Sequence, residues 1–145
     1  MRFMMLVKAS PESEAGGMPS KELVAAMGQY NEGLMKAGVL LAAEGLQASS
    51  KGARVAYSGD RRTVIDGPFT EAKELIAGFW LIQVRSREEA IEWASRVPFE
   101  DGEVEIRQIF EAADFPPDVL PPQQAAREQE LRQDLERKGA LGGRE

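Results

Sequence analysis

Histidine and cysteine are both missing from the 145 residues. Without thiols the chain has no disulfide and no cysteine nucleophile, a composition that suits a reducing cytoplasm. Without imidazole it lacks the one side chain whose unperturbed pKa fits acid-base work near neutrality, and the commonest metal ligand as well. Ser-His-Asp and Cys-His machinery, zinc sites and haem sites are therefore excluded, for the single chain and equally for a homodimer of it. Oxygen-only sites for magnesium or calcium stay open, but no acidic loop has EF-hand spacing. No metal and no cofactor is expected.

Basic charge and long apolar runs are also scarce. Eighteen Lys and Arg face 24 Asp and Glu, giving a formal charge of −6. That balance offers no broad footprint for phosphate backbones, so no nucleic-acid partner is expected. The apolar run Phe3 to Val7 is closed by Lys8 and then Pro11. It is shorter than a signal-peptide core and far shorter than the ~20 residues of a membrane span. The expectation is a soluble cytoplasmic protein with no membrane contact. With 43% apolar residues, the chain can bury one ordinary core.

The order of elements follows from local pattern. Phe3 to Val7 reads as a central strand, apolar on both faces. A flexible loop through Gly16 and Gly17 comes next. Ser20 then caps a helix whose Leu23, Met27, Tyr30 and Leu34 share one face, and Gly38 supplies its left-handed terminus. Val39 to Leu46 reads as a strand with Glu44 at its end, followed by the polar loop Ser49-Ser50-Lys51-Gly52. The short β-prone runs Arg54 to Tyr57 and Thr63 to Ile65 form a hairpin. After the turn Asp66-Gly67-Pro68-Phe69 and a short polar helical segment, Gly78 to Val84 is the most strand-like heptad. Ser86 and Glu89 make a capping box for a helix that Pro98 ends. Glu103 to Phe110 is a last strand.

Two β-α-β halves with a hairpin insertion describe a ferredoxin-like βαββαβ plan of the α+β class. Its helices cover one sheet face, leaving the other apolar through residues such as Met4, Leu6, Trp80 and Ile82, with the outward parity open. Pairing two such sheets buries that face, so a homodimer is expected. The core domain spans residues 1–111. Residues 112–145 form a Pro-rich linker and a charged C-terminal helix or tail.

Asp66 is the leading candidate for a site, because it puts a carboxylate at a strand end on backbone stiffened by Pro68. Its structural role would be to accept hydrogen bonds from the turn's own amides. Its functional role would be to bind a ligand or act as a base, and the two are compatible. Glu44 can point into the same cleft, with a salt bridge to an arginine as the ordinary alternative. Lys51 and Arg54 flank Gly52 and offer charge to an anion, though a solvated hairpin edge is the simpler reading. Lys73 can pair with Glu74 or help Asp66. Trp80 and Tyr57 can line a pocket, although aromatic strand residues serve core or interface first.

Met1-Arg2-Phe3-Met4, Glu44-Gly45-Leu46, Asp66-Gly67-Pro68-Phe69 with Glu71, Lys73 and Glu74, Gly78-Phe79-Trp80-Leu81 and Glu89-Ala90-Ile91-Glu92-Trp93 together resemble the YCII-related family, in its DGPF-domain branch. The resemblance covers Met1 to about Phe110. It implies a dimeric α+β barrel with a cleft between sheet and loops, in a family whose members include small-molecule enzymes that pair histidine with aspartate. This chain departs from them: Gln47 stands where a histidine is implied. What remains is a small organic ligand, with Asp66 as catalytic carboxylate and Glu44, Arg54, Lys73 and Trp80 as substrate-binding residues. Carboxylate-assisted proton transfer, elimination or isomerisation is the chemistry left. A non-catalytic metabolite-binding or regulatory module is the alternative.

Overall fold

From the N-terminus the elements are β1 (Arg2–Lys8), α1 (Pro11–Glu14), α2 (Lys21–Lys36), β2 (Leu40–Gly45), a 3-10 turn (Ser49–Lys51), β3 (Ala53–Ser58), β4 (Arg61–Asp66), a second 3-10 turn (Ala72–Glu74), β5 (Ile76–Gln83), α3 (Arg87–Ser95), β6 (Val104–Gln108), a third 3-10 turn (Ala112–Asp114) and α4 (Pro122–Gly142). The computed structural model describes residues 1–142, and the side chains of residues 73 and 140–142 lie outside that description. Two compact units are present, one covering Met1–Ile109 and a second starting at Phe110.

In the first unit, β1 and β5 are the inner strands of a four-stranded sheet ordered β2-β5-β1-β6. Every neighbouring pair is antiparallel, which gives the ferredoxin-like topology. Among the described residues, strands β3 and β4 pair only with each other, as a separate two-stranded ribbon.

Register decides which side chains meet the helices, because residues opposite one another in an antiparallel ladder share a face. Met5 stands opposite Trp80 and Ile106, and Phe3 opposite Ile82. These form the core with Tyr30 and Leu34 of α2 and Ala90 of α3. Trp80 and Ile82 thus face the helices. The opposite face presents Met4, Leu6, Phe79 and Leu81, all partly buried. Glu44, opposite Phe79, and Glu105, opposite Leu6, bound it on its two sides.

The helices start and stop where local chemistry directs. Ser20 accepts from the Leu23 amide, and Gly38 takes φ 72° after the last turn of α2. Ser86 accepts from the Glu89 amide, while the Glu89 carboxylate accepts from the Arg85 amide, one residue before the reciprocal partner a capping box requires. The loop before α2 contains α1, a single turn on which Ser10 and Ser13 cap each other's backbone.

Between the helices, the Tyr30 hydroxyl donates to the Trp93 carbonyl at 2.8 Å, and its ring meets Trp80 edge-on at 5.4 Å. Trp80 Nε1 donates to Asn31 Oδ1, so its indole is satisfied inside the core. In the second unit Phe110 packs on Phe115, and α4 carries the ion pairs Arg127–Glu130 and Arg137–Asp134 while leaving Leu131 and Leu135 exposed.

Burial pushes the Tyr30 phenol up from 10.0 to about 12, against a smaller opposing pull from the Arg96 charge. The folded chain then holds this proton more tightly than the unfolded chain. The associated stability is complete below pH 10 and is lost as pH rises through about 12. Urea titrations should show stability falling across that window in the wild type, with the slope reduced in Tyr30→Phe. At neutral pH that variant should lose about 1 kcal/mol, the worth of one hydrogen bond.

Candidate functional site

The turn Asp66-Gly67-Pro68-Phe69 is built by its neighbours across space. The Gly67 amide donates to the Gly52 carbonyl at 3.0 Å. A Cβ on Gly67 would stand 1.8 Å from the Ser49 carbonyl oxygen and 2.7 Å from the Ser49 carbonyl carbon. Only glycine fits there, because the obstacle is backbone and cannot rotate away. The Gly67-Pro68 peptide is cis.

Ser49 is the hub of the arrangement. Its Oγ accepts from the Phe69 amide at 3.0 Å and donates to Glu14 Oε2. Its amide donates to Glu14 Oε1 at 3.1 Å, so one carboxylate at the end of α1 grips both donors of Ser49. Such charge-assisted bonds are stronger than neutral ones. Arg54 completes the cluster, its guanidinium lying 3.8 Å from the centroid of the Phe69 ring.

The Asp66 carboxylate takes no part in this. It is exposed, and among the described residues it has no side-chain hydrogen bond or ion pair. Asp66 is the last residue of β4, opposite Ala53, and shares a ribbon face with Val55, Val64, Tyr57 and Arg62. Arg54, opposite Ile65, projects from the other ribbon face, toward Phe69. Glu44 is exposed on edge strand β2 beside Phe79. Trp80 is 3% exposed beneath the helices, which gives its side chain to the core and not to a pocket. The Lys73 side chain lies outside the described residues.

A groove of about 370 Å³ lies elsewhere, between α3 and β6, lined by Ile91, Val97, Phe99 and Ile106 with Glu100, Asp101 and Glu103 at its rim. Among the described residues, no three carboxylates gather as a metal centre would need, and no helix is long and apolar enough to cross a membrane.

Ser49 and Glu14 are the residues that reading along the chain misses. The loop Ser49-Ser50-Lys51-Gly52 reads as a solvated edge, yet Ser49 is half-buried and fully engaged. Glu14 lies 35 positions upstream, and no local pattern links the two.

The sheet order and this loop cluster define an α+β protein of ferredoxin-like topology. The chain belongs to the YCII-related family, whose domain matches residues 1–113. An uncharacterised protein of Rhizobium meliloti (strain 1021) is 33% identical over 90 residues, spanning 60% of this chain and 70% of that protein. Among solved structures, 5-chloro-2-hydroxyhydroquinone dehydrochlorinase from Burkholderia phenoliruptrix AC1100, in complex with 2,5-dihydroxybenzoquinone, is similar at 15% identity and a TM-score of 0.40. That match covers 80% of this chain and all of the other.

The clash at Gly67 makes a direct prediction. Gly67→Ala should lower stability by about 3 kcal/mol, the upper range for overpacking. Ser49→Ala, which removes the hydroxyl from Glu14 Oε2 and from the Phe69 amide while the backbone bond to Glu14 Oε1 stays, should cost about 1–3 kcal/mol. Urea midpoints read at constant m-value check both.

Proposed function

We propose that the protein is a homodimer that binds a small organic molecule in a cleft near Asp66, with the Asp66 carboxylate as its proton-transfer group. One observation carries this reading: the turn that bears Asp66 is held by Gly67, Ser49 and Glu14, so the carboxylate is free of the structural duty that aspartate before Gly-Pro ordinarily performs. Among the described residues this exposed carboxylate has no partner, on a turn whose backbone is held, so it is available to a ligand.

With no histidine in the chain, acid-base work falls to such a group. Asp66 would take a proton from a carbon made acidic by an adjacent carbonyl. The electron pair left behind would then expel a leaving group, as in elimination, or be reprotonated elsewhere, as in isomerisation. Arg54 would serve by fixing Phe69, and with it the turn, while Glu44 and Lys73 would contact the bound molecule. Assignment to the DGPF-domain branch and the α+β barrel dimer belong to the same reading. The alternative, a non-catalytic metabolite-binding or regulatory module, draws support from the exposure of Asp66, since proton abstraction from carbon favours a site shielded from water.

Asp66→Asn separates these roles. Its melting temperature should stay within about 1 °C of wild type, since the carboxylate holds no structural bond. Small carbonyl compounds and organic acids that stabilise the wild type in a thermal-shift screen should no longer do so. A fall of several degrees with ligand binding intact would instead make Asp66 a turn organiser. For any compound that binds, proton NMR in deuterium oxide decides between the two readings: C–H exchange that the wild type promotes and Asp66→Asn does not is catalysis, and binding without exchange is the module.

A further inference from the structure

We propose that the β3–β4 ribbon is an arm covered by a second copy of the chain, which packs over Val55, Tyr57 and Val64 and thereby encloses Asp66. This rests on the homodimer reading above and names the surface that completes the site.

All twelve residues of the two strands are exposed, on both ribbon faces. A two-stranded ribbon alone in water is marginal. One face of this ribbon carries Tyr57 at 73%, Val64 at 65% and Val55 at 48% exposure, a contiguous apolar stripe of the kind that marks an interaction surface.

Charge identifies the occupant. From Lys51 to Asp66 the chain carries four cations, Lys51, Arg54, Arg61 and Arg62, against two carboxylates, Asp60 and Asp66, although the whole chain is at −6. Arg62 and Asp66 share the face of Val55, Tyr57 and Val64, and Arg54 and Arg61 lie on the other. The arm as a whole is basic against a strongly acidic remainder, which a second copy presents to it.

Continuity supports the same partner. The arm leaves the sheet just beyond Gly45 of β2, where the Leu46 amide still bonds to the Ala77 carbonyl. That is the end of the partly buried Met4, Leu6, Phe79 and Leu81 face, where Glu44 lies beside Phe79. A copy seated on Met4, Leu6, Phe79 and Leu81 would thus meet the arm at its rim. Because Asp66 shares the arm's apolar face, the same contact would exclude water from its carboxylate, which the single chain leaves exposed.

The test is sedimentation equilibrium of the full chain. Val55→Glu combined with Val64→Glu should raise the dimer dissociation constant by about tenfold or more, as loss of central contacts does, with far-UV circular dichroism unchanged. Arg61→Glu combined with Arg62→Glu should also weaken the dimer and flatten its salt dependence. If both variants dimerise as tightly as wild type, the arm proposal is overturned while the homodimer stands. A wild-type chain that stays monomeric at about 100 µM overturns the homodimer and the arm together. Unchanged self-association with loss of ligand stabilisation in Val55→Glu/Val64→Glu would give this face to the ligand and also overturn the proposal.

Discussion

The approach of Gly67 to the Ser49 backbone is the constraint on which the rest of the site depends. No side chain fits between them, and the Gly67 amide is spent on the Gly52 carbonyl. Two segments far apart in sequence are thereby fixed against each other: the loop that follows β2 and the turn that follows β4. That contact fixes the turn directly after Asp66, which is itself the last residue of the β3–β4 ribbon. The Glu14–Ser49–Phe69 chain of hydrogen bonds then ties α1 to the same point.

The sheet contributes a division of labour by parity. Trp80 and Ile82 point into the helix-covered core, while Phe79 and Leu81, their immediate neighbours, point the other way. Alternation along β5 therefore separates the residues that stabilise the unit from those available to a partner. Tyr30 shows how closely the covered side is packed, since its hydroxyl reaches Trp93 of α3 and its phenol resists ionisation.

Features set by nearest neighbours in sequence are legible in the amino-acid pattern itself. The cap at Ser20, the left-handed Gly38, the inward helix face from Leu23 to Leu34 and the order of strands all rest on local spacing, and the folded chain has each of them. Parity is not legible in that way, because the direction of Trp80 depends on its register with Met5 and Ala43. The sharing of turn duties at Asp66 is hidden for the same reason. The groups that relieve its carboxylate come from Ser49 and Glu14, and hydrogen bonds across such separations leave no periodic trace. The one-turn helix α1 is too short for periodicity to register, and its role emerges only with Glu14 in place.

Amide hydrogen exchange of Phe69 tests most directly whether the turn stands without Asp66. In the folded protein this amide donates to Ser49 Oγ, so its protection reports the integrity of the turn. Protection should equal that of wild type in Asp66→Asn and be lost in Ser49→Ala. Loss of protection in Asp66→Asn, with Ser49→Ala unaffected, would return the carboxylate to a structural role and contradict the assignment of Asp66 to a ligand.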